Sequence, residues 1–328
     1  MRVMMFGMAL MLMSASSNAE VKEVRIGVQY GLVYLPVAVA EAQGFFAEEA
    51  NKAGLAELKV TINRFSGSTA ISDAFLSSNI DVGAWGVPAL LLLWDVTKGR
   101  YDVHGLAALA AHPFILETNK PEIKSLADFG ESDRIAVPSS TSPQAILMRM
   151  AAERIYGAGQ HKRIDSLLVA MPHPEATTAL LAGGTGITGY VATPPFIAPL
   201  QRSDKIHAVI RSKEILDGEE VTGAALGTSQ KFVKDNPTVA KAIVIALDDA
   251  IRFIKAKPDV AADIYIKSEA SKLNKQDVLD MLSDGTMLYD TTPSGIMKFA
   301  SFMARTGQLK SEPKSWEDVF FPLLKDRK

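Results

Sequence analysis

The sequence contains no cysteine among its 328 residues. This absence excludes a disulfide-stabilised scaffold, a thiolate metal site, an iron–sulfur cluster and a cysteine nucleophile, and we expect no lipid-modified N-terminal cysteine. An excess of charge of one sign is also missing, because 35 basic and 37 acidic side chains leave a net charge of −2. Such a balance provides no electrostatic footprint for nucleic acid, and we predict no nucleic-acid partner.

Long hydrophobic runs are absent after the N-terminal segment, since no later stretch approaches the ~20 apolar residues of a transmembrane helix. Arg2 is the only charge before Glu20, and an apolar run from Val3 to Met13 is followed by small residues up to Ala19. This layout is typical of a signal peptide, and we predict one at residues 1–19. The alternative, a buried N-terminal helix, lacks an amphipathic face. With no lipid anchor, the chain is expected in a periplasm.

Recognisable catalytic motifs are missing as well, both the G-x-S-x-G nucleophile elbow and the Walker A loop. Residues 184–189 spell G-x-G-x-x-G, but they leave a predicted helix and enter a predicted strand, so we interpret them as a helix-ending turn. His173-Pro174-Glu175 resembles half of a zinc-deaminase motif whose C-x-x-C half cannot exist here. Because the five histidines also lack helical i, i+4 pairing, we predict no catalytic residue, no metal and no cofactor.

What the chain does contain is a repeated unit of strand, polar loop and helix. Proline opens several of the helices and glycine ends the first of them, as helix-terminus chemistry favours. Strands alternating with helices at this spacing predict an α/β fold with two parallel-rich sheets, one for each of two lobes. The predicted strands are Arg25–Val28, Leu58–Asn63 and Asp81–Ala84, then Arg134–Val137, Leu167–Ala170 and Thr188–Ala192.

Two extended segments, Val103–Thr118 and Val221–Thr228, are predicted to link the lobes. After them the chain becomes almost wholly helical. We therefore assign residues 20–110 and 229–328 to the first lobe and residues 111–228 to the second, with a double-crossover hinge between them. Ligands on such sheets bind beyond the carboxyl ends of the strands, and in two facing lobes those ends line one cleft.

The loops at those strand ends carry mainly aromatic and hydroxyl side chains. Several open directly into helices, so backbone N–H groups and positive helix ends point at the cleft and suit a small anion or polar head group. For the serines and threonines, helix capping is an equal alternative. For Trp85 and Tyr34, the equal alternative is packing in the core or at the hinge. The candidate ligand-binding residues are Gln29, Tyr30, Tyr34, Ser66, Ser68, Thr69, Trp85, His112, Phe114, Ser140, Thr141, Ser142, His173, Glu175, Thr193 and Phe196.

Several segments together resemble the nitrate/sulfonate/taurine-type solute-binding proteins of ABC transporters, a group also called NMT1/THI5-like. The resemblance covers essentially the whole chain after residue 19. It implies a type II periplasmic binding protein, or Venus flytrap, that acts as a monomer and delivers a small molecule to a membrane permease and ATPase complex. The segments that carry it are 26–49, Ser66-Gly67-Ser68, 113–116, 125–129, 134–138 and 228–237.

The second lobe departs from the pattern of that group. Relatives commonly carry Gly-x-x-Asp-Ala followed by Glu-Pro-Phe, where this chain has Gly186–Tyr190 and Thr193-Pro194-Pro195-Phe196. The ligand therefore stays open between a small anion (sulfonate, taurine or nitrate-like) and a polar aromatic or heterocyclic compound. Two other functions remain as alternatives: an enzyme resembling the thiamine-pyrimidine synthase, whose cysteine-rich iron motif is absent here, and a ligand sensor for a membrane receptor kinase.

Overall fold

The computed structural model describes residues 19–55 and 58–324. The predicted signal peptide, apart from Ala19, lies outside these residues. Within the described ranges, no helix combines the length and the apolar character needed to cross a membrane. The described chain forms two lobes, each of which is a β-sheet flanked by helices.

Eleven strands among the described residues form the two sheets. The order is β11-β4-β10-β3-β1-β2 in the first sheet and β7-β6-β8-β5-β9 in the second. The strands are β1 (Glu23–Val28), β2 (Lys59–Arg64), β3 (Val82–Gly86), β4 (Val103–His112), β5 (Ile115–Thr118), β6 (Ile135–Val137), β7 (Leu168–Ala170), β8 (Gly189–Ala192), β9 (His207–Arg211), β10 (Val221–Ser229) and β11 (Leu288–Tyr289).

The helices follow the strands as the repeated unit predicts, and six of them have proline in their first turn. Proline suits that position because its missing N–H would have no partner there. The helices are α1 (Leu35–Ala42), α2 (Phe45–Lys52), α3 (Ser68–Leu76), α4 (Val87–Val96), α5 (Pro143–Tyr156), α6 (His173–Ala182), α7 (Ile197–Gln201), α8 (Ser212–Ile215), α9 (Gln230–Asp235), α10 (Pro237–Ala256), α11 (Pro258–Ser268), α12 (Lys275–Ser283) and α13 (Ile296–Arg305).

Both sheets are mixed rather than predominantly parallel. The βα units do pair in parallel, as β2-β1-β3 in one lobe and β7-β6-β8 in the other. The remaining strands, β10, β4 and β11 in the first sheet and β5 and β9 in the second, pair antiparallel. The parallel pairing that the βα units predict is therefore confined to three strands of each sheet. It ends at β10 in the first sheet and at β5 in the second, the strands by which the chain enters each lobe after a crossing, because these two run in the opposite direction.

Strand β10 belongs to the first lobe, whereas the sequence analysis placed residues 221–228 at the end of the second. It pairs antiparallel with β3 on one side and with β4 on the other, and almost all of it is buried. The chain leaves the first sheet after His112 and returns to it at Val221. The two crossings therefore lie at Pro113-Phe114 and between β9 and β10.

The lobes share apolar packing on one side of the molecule. Buried residues of α4 and α13 from the first lobe and of α5 from the second belong to one hydrophobic cluster. At its edge Arg305 pairs with Glu153 across the lobes (Nη1–Oε1 3.0 Å), and this pairing lowers the pKa of Glu153 to about 2. The ring of His161 stands edge-on to Phe302 in the same interface. This side of the molecule is closed by packing, which leaves the cleft on the other side.

A buried acid in the second sheet leads to a prediction about stability. Glu117 on β5 is 1% exposed, its Oε1 has no hydrogen-bond partner, and burial raises its pKa to about 7, opposed by the charge of Arg211. An acid whose pKa is higher in the folded state than in the unfolded chain loses stability as the pH rises between the two values. We therefore expect Glu117→Gln to be more stable than the wild type at pH 8, by up to about 3 kcal/mol, and to lose this advantage at pH 4.5.

Urea unfolding of both proteins between pH 4.5 and pH 8 measures this difference. The exposed Glu122 provides the matched control, since Glu122→Gln should leave the pH dependence unchanged. A difference between Glu117→Gln and wild type that stays constant with pH would show that Glu117 titrates normally.

Candidate functional site

A narrow cavity of about 20 Å³ lies between the lobes, where the carboxyl ends of β1, β3, β6 and β8 face one another. Residues from both lobes and from both crossings form its wall. The lining residues are Gln29, Tyr30, Val33, Tyr34, Ser68 and Gly86 from the first lobe, Pro138, Ser142, Pro143, Gln144, His173 and Thr193 from the second, and His112, Phe114 and Gly223 at or beside the crossings.

The wall contributed by the first lobe is a small hydrogen-bond network around Ser68. The Nε2 group of Gln29 donates to Ser68 Oγ (3.2 Å) and to the carbonyl of Ala84 (3.3 Å), and the N–H of Gly86 also donates to Ser68 Oγ (3.1 Å). Both lone pairs of Ser68 Oγ are therefore engaged. A hydroxyl has one proton and two lone pairs, so Ser68 keeps its proton to donate towards the cavity.

The wall contributed by the second lobe is a chain of hydrogen bonds through His173. Gln144 Nε2 lies 3.3 Å from His173 Nε2, and His173 Nδ1 lies 2.5 Å from the hydroxyl of Tyr190. An amide nitrogen only donates, so His173 Nε2 is the acceptor and the ring proton sits on Nδ1, from where it is donated to Tyr190. The ring of His173 also stacks on Phe196, with centroids 5.3 Å apart.

This chain leaves one polar atom of the wall without a partner. Gln144 is 4% exposed, and its Oε1 has no hydrogen-bond partner. Tyr190, which receives the proton of His173, in turn reaches the hydroxyl of Thr177, and Thr177 donates its own proton to the backbone carbonyl of His173 (2.8 Å). The hydrogen-bonding roles along the chain are therefore consistent with Gln144 Oε1 as an open acceptor.

The second imidazole, His112, lies at the end of β4 where the chain first crosses. Its Nδ1 is 3.1 Å from the carbonyl of Pro113 and 2.9 Å from Thr193 Oγ1. Because a carbonyl only accepts, Nδ1 carries the proton and Nε2 is left as a bare lone pair. Gly223 makes room for this edge of the ring, since a Cβ there would lie 2.3 Å from His112 Nε2.

We predict that both imidazoles stay neutral well below neutral pH. Burial lowers the pKa of His112 to about 4, and burial together with the neighbouring His112 lowers that of His173 to about 3. A base whose pKa is depressed in the folded state costs stability as the pH falls from about 6.5 towards these values. The ¹⁵N shifts of both rings should therefore report neutral Nδ1–H tautomers from pH 8 to pH 5, while the unfolding midpoint falls below pH 6.5. Titration of either ring near pH 6.5 would contradict this.

The cavity wall carries no full charge. Among the described residues that line it, the titratable side chains are two histidines and two tyrosines. The guanidinium of Arg64, which lies over the Tyr30 ring, is engaged elsewhere: it donates to the carbonyl of Gln29 (2.6 Å) and pairs with Glu269 (3.0 Å). Across residues 19–55 and 58–324, no group of three acidic or histidine side chains is placed to hold a metal ion. Among the residues that the structure describes at the wall, partial positive charge comes from helix N-termini, those of α3, α5 and α6.

The lobes touch directly around this cavity. The N–H of Leu32 in the first lobe donates to the carbonyl of Pro194 in the second (3.1 Å). Gly67 approaches the backbone of Pro138 so closely that a Cβ would lie 2.5 Å from its carbonyl oxygen. At the outer edge, Arg202, directly after α7, forms an ion pair with Asp277 of α12. The conformation described is therefore a closed one.

The structure brings nine of the sixteen predicted site residues to the cavity wall. Ser66, Thr69 and Ser140 line a neighbouring groove between the lobes, and Glu175 and Phe196 line another on the far side of Tyr30. Thr141 lies in the loop before α5, half-buried, with its hydroxyl 3.4 Å from that of Ser139. The nine at the wall are Gln29, Tyr30, Tyr34, Ser68, His112, Phe114, Ser142, His173 and Thr193.

Trp85, one of the ligand-binding candidates, lies in the core and not at the cavity wall. Its side chain is fully buried, packs edge-on against Phe75 with centroids 5.2 Å apart, and donates from Nε1 to Ser72 Oγ (3.1 Å). The residue stands at the end of a strand, as expected, but its ring turns beneath α3 rather than towards the cavity. Core packing, the alternative considered for this residue, is what the structure shows.

Gln144 and Gly223 are wall residues that the sequence reasoning missed. Gln144 lies in the first turn of α5, two residues after the helix-capping Ser142, and this position was a usable signal because that turn faces the cleft. Gly223 carried no signal, since its place beside His112 depends on the pairing of β10 with β4 across more than a hundred residues.

Comparison with solved structures supports the two-lobed fold. A protein from Bordetella bronchiseptica RB50 is 22% identical, with a TM-score of 0.73, and the match covers 92% of this chain and 94% of that one. The alkanesulfonate-binding protein SsuA from Xanthomonas axonopodis pv. citri is 14% identical (TM-score 0.70, 90% and 96% covered). The periplasmic nitrate-binding protein NrtA from Synechocystis PCC 6803 is 17% identical (TM-score 0.68, 92% and 86% covered).

These likenesses establish the architecture, an α/β periplasmic binding protein fold with two lobes. The sequence matches no curated protein. A family profile does match it, over residues 17–266, and that profile describes the NMT1-like family. The match spans well over half of the sequence, and it agrees with the resemblance that the βα segments carry. The chain therefore belongs to the NMT1-like family.

Proposed function

We propose that this protein is the solute-binding component of an ABC importer, which captures a small polar molecule between its lobes and delivers it to a permease and ATPase complex. The observation that carries the proposal is the cavity itself, which is walled by buried polar groups from both lobes. A site divided between two lobes binds its ligand fully only when they close, so the closed form is the one a partner would recognise.

Three further observations support this function. Structures with the same fold include proteins described as alkanesulfonate-binding and nitrate-binding. The N-terminal segment has the layout of a signal peptide, which fits export to a periplasm. The chain contains no cysteine, as expected for a binding protein released without a lipid anchor. We propose that it acts there as a monomer.

We propose a binding role without catalysis. The cavity wall holds one buried serine network and two neutral imidazoles, and His173 is committed to Gln144 and Tyr190. Among the described serines and threonines of the wall, Thr193 alone is hydrogen-bonded to a histidine. The bond is to Nδ1 of His112, which carries the ring proton and therefore cannot accept the proton of Thr193. A nucleophile needs a base that can accept its proton, and this arrangement does not supply one.

Thermal unfolding of the purified protein against a panel of solutes tests the proposal. The panel should hold sulfonates, carboxylates, nitrate, pyrimidines and amides. A solute that binds only the folded protein at a hundred times its Kd should add about 2.7 kcal/mol of stability. Mass spectrometry of the same mixtures shows whether the solute is recovered unchanged. Turnover of a solute without a stable complex would favour the enzymatic alternative.

A further inference from the structure

We infer that Arg64 and Glu269 are positioning residues for the closure of the lobes. This buried ion pair of the first lobe holds the loop of residues 29–32 in the conformation that sets Tyr30 and the N–H of Leu32 against the second lobe. The inference rests on the proposed function as a solute-binding protein, because it concerns how such a protein closes. Neither charged side chain lines the cavity, so the pair holds the loop and does not contact the solute.

The ion pair encloses the backbone of Tyr30. Arg64 Nη1 donates to the carbonyl of Gln29 (2.6 Å) and to Glu269 Oε1 (3.0 Å). The same Oε1 accepts the N–H of Gly31 (3.0 Å). The carbonyl before Tyr30 and the N–H after it are therefore both held by one ion pair. The guanidinium also lies over the Tyr30 ring, 5.3 Å from its centre, so the pair fixes both the backbone and the ring of this residue.

Gly31 makes the loop flexible unless other groups hold it. Its φ of 132° lies where glycine alone is readily found, and glycine loses more conformational freedom on folding than any other residue. Glu269 is itself held in place, since its side chain is 5% exposed and its Oε2 accepts the hydroxyl of Tyr265 (2.8 Å). A buried ion pair adds little stability compared with apolar residues of similar size. We therefore attribute its presence here to the geometry that it imposes on the loop.

The loop that the pair holds is a direct contact between the lobes. Tyr30 packs against a hydrophobic cluster of the second lobe that includes buried residues of α6, α7 and β8. The N–H of Leu32 donates to the carbonyl of Pro194 in the second lobe (3.1 Å), while the Leu32 carbonyl accepts the hydroxyl of Tyr289 in the first (2.8 Å). Because the ion pair lies entirely in the first lobe, the loop keeps its shape when the lobes part. Such preorganisation lowers the cost of forming the closed state.

Amide hydrogen exchange followed by NMR tests the inference on the loop itself. In Glu269→Gln the amides of Gly31 and Leu32 should exchange about ten times faster than in the wild type, because the first loses its charged acceptor and the second its fixed approach to the other lobe. The double variant Arg64→Met/Glu269→Gln leaves neither charge unpaired and should show the same effect if the single variant does not fold. The Leu32 amide is measured without solute and with any probe that binds.

Asp81→Asn is the matched control. Asp81 forms an ion pair with Arg25 (2.8 Å), also in the first lobe but towards the start of β1 and away from the loop. The substitution should lower the stability of the first lobe and leave the exchange of the Gly31 and Leu32 amides unchanged. It therefore separates the positioning of the loop from a general effect of losing an ion pair.

Isothermal titration calorimetry gives the functional readout, with nitrate, methanesulfonate, acetate, uracil and nicotinamide as probes. For each probe that binds the wild type, Glu269→Gln should weaken binding about tenfold, because a smaller fraction of the molecules adopts the closed form. Asp81→Asn should bind that probe as the wild type does. Circular dichroism confirms that the variants compared are folded.

Each outcome bears on either the inference or the proposed function. Wild-type exchange at Gly31 in Glu269→Gln would show that the ion pair does not hold the loop. Wild-type exchange at Leu32 in both conditions, or an equal loss of affinity in Glu269→Gln and Asp81→Asn, would show that the pair has no particular role in closure. Any of these results overturns the inference and leaves the solute-binding function intact. Failure of all five probes to bind the folded wild type would count against that function, and the exchange rates then decide the inference by themselves.

Discussion

Gly67→Ala should weaken ligand binding about a hundredfold while leaving each lobe folded. Gly67 precedes α3 in an extended conformation (φ −177°) that any residue adopts, so alanine introduces no strain within the first lobe. The added Cβ would instead lie 2.5 Å from the carbonyl oxygen of Pro138 in the second lobe and 3.1 Å from its carbonyl carbon. These are backbone atoms that cannot move aside as a flexible side chain does, so the lobes must stay apart.

The expected loss follows from the population of the closed form. Apparent affinity falls in proportion to the fraction of molecules that can adopt the binding-competent conformation, so a variant closed one time in about a hundred binds about a hundredfold more weakly. The lobes approach equally closely at Gly86, where a Cβ would lie 2.5 Å from Pro143 Cδ of the other lobe. Close approach of the lobes thus depends on glycine at two separate places.

Calorimetry with the solute found in the thermal screen, and small-angle X-ray scattering with and without it, measure the two consequences. Gly67→Ala should keep the larger radius of gyration of the open form when the solute is added. Gly130→Ala is the matched control, because a Cβ at this exposed glycine would meet only the carboxylate of Asp133, at 3.8 Å. Wild-type affinity in Gly67→Ala would mean that the ligand-bound form is more open than the structure described here.

The βα units of both lobes could be predicted because their signals are local. A short apolar strand, a polar loop and a proline in the first helical turn lie within about ten residues of one another, as around Pro88 and Pro143. Helix and strand periodicity therefore identified the elements and, through them, the loops that form the cleft. Nine of the sixteen candidates line the cavity for this reason, since a loop at the carboxyl end of a central strand faces the other lobe.

The antiparallel halves of the sheets could not be predicted in the same way. β10 and β4 are both rich in alanine and glycine, and their register includes irregularities after Thr222 and Leu226. Strand propensity indicates that such segments are extended but not which strand they join, because pairing depends on packing between distant parts of the chain. For this reason the sequence did not indicate that residues 221–228 join the sheet of the first lobe.

The sequence also could not predict whether a side chain at a strand end points towards the cleft or towards the core. β3 is buried on both faces, so the usual alternation of apolar and polar residues, which tells one face from the other, is absent along it. Trp85 was therefore compatible with the cleft and with the core. The ring fits in the core because two neighbouring residues are glycines. A Cβ at Gly83 would lie 2.5 Å from the Trp85 ring, and one at Gly227 would lie 3.3 Å from it.

Trp85→Ala should destabilise the protein by about 3–5 kcal/mol, the usual cost of removing a large aromatic side chain from a core. The ring is completely buried, and its loss removes the edge-on contact with Phe75 and leaves Ser72 Oγ without the donated N–H. The neighbouring Gly83 and Gly227 have no side chains that could fill the space. Trp85→Phe should cost less than half as much, because it keeps an aromatic ring in the core.

Urea unfolding of these variants beside Trp316→Ala separates a core role from a general effect of losing tryptophan. Trp316 is only half-buried, edge-on to Phe320, and its removal should cost much less than that of Trp85. At temperatures where Trp85→Ala remains folded, its solute affinity should stay within about threefold of the wild type, because the ring does not reach the cavity. If Trp85→Ala instead has near wild-type stability and binds the solute weakly, Trp85 contacts the ligand and the binding site extends further into the first lobe.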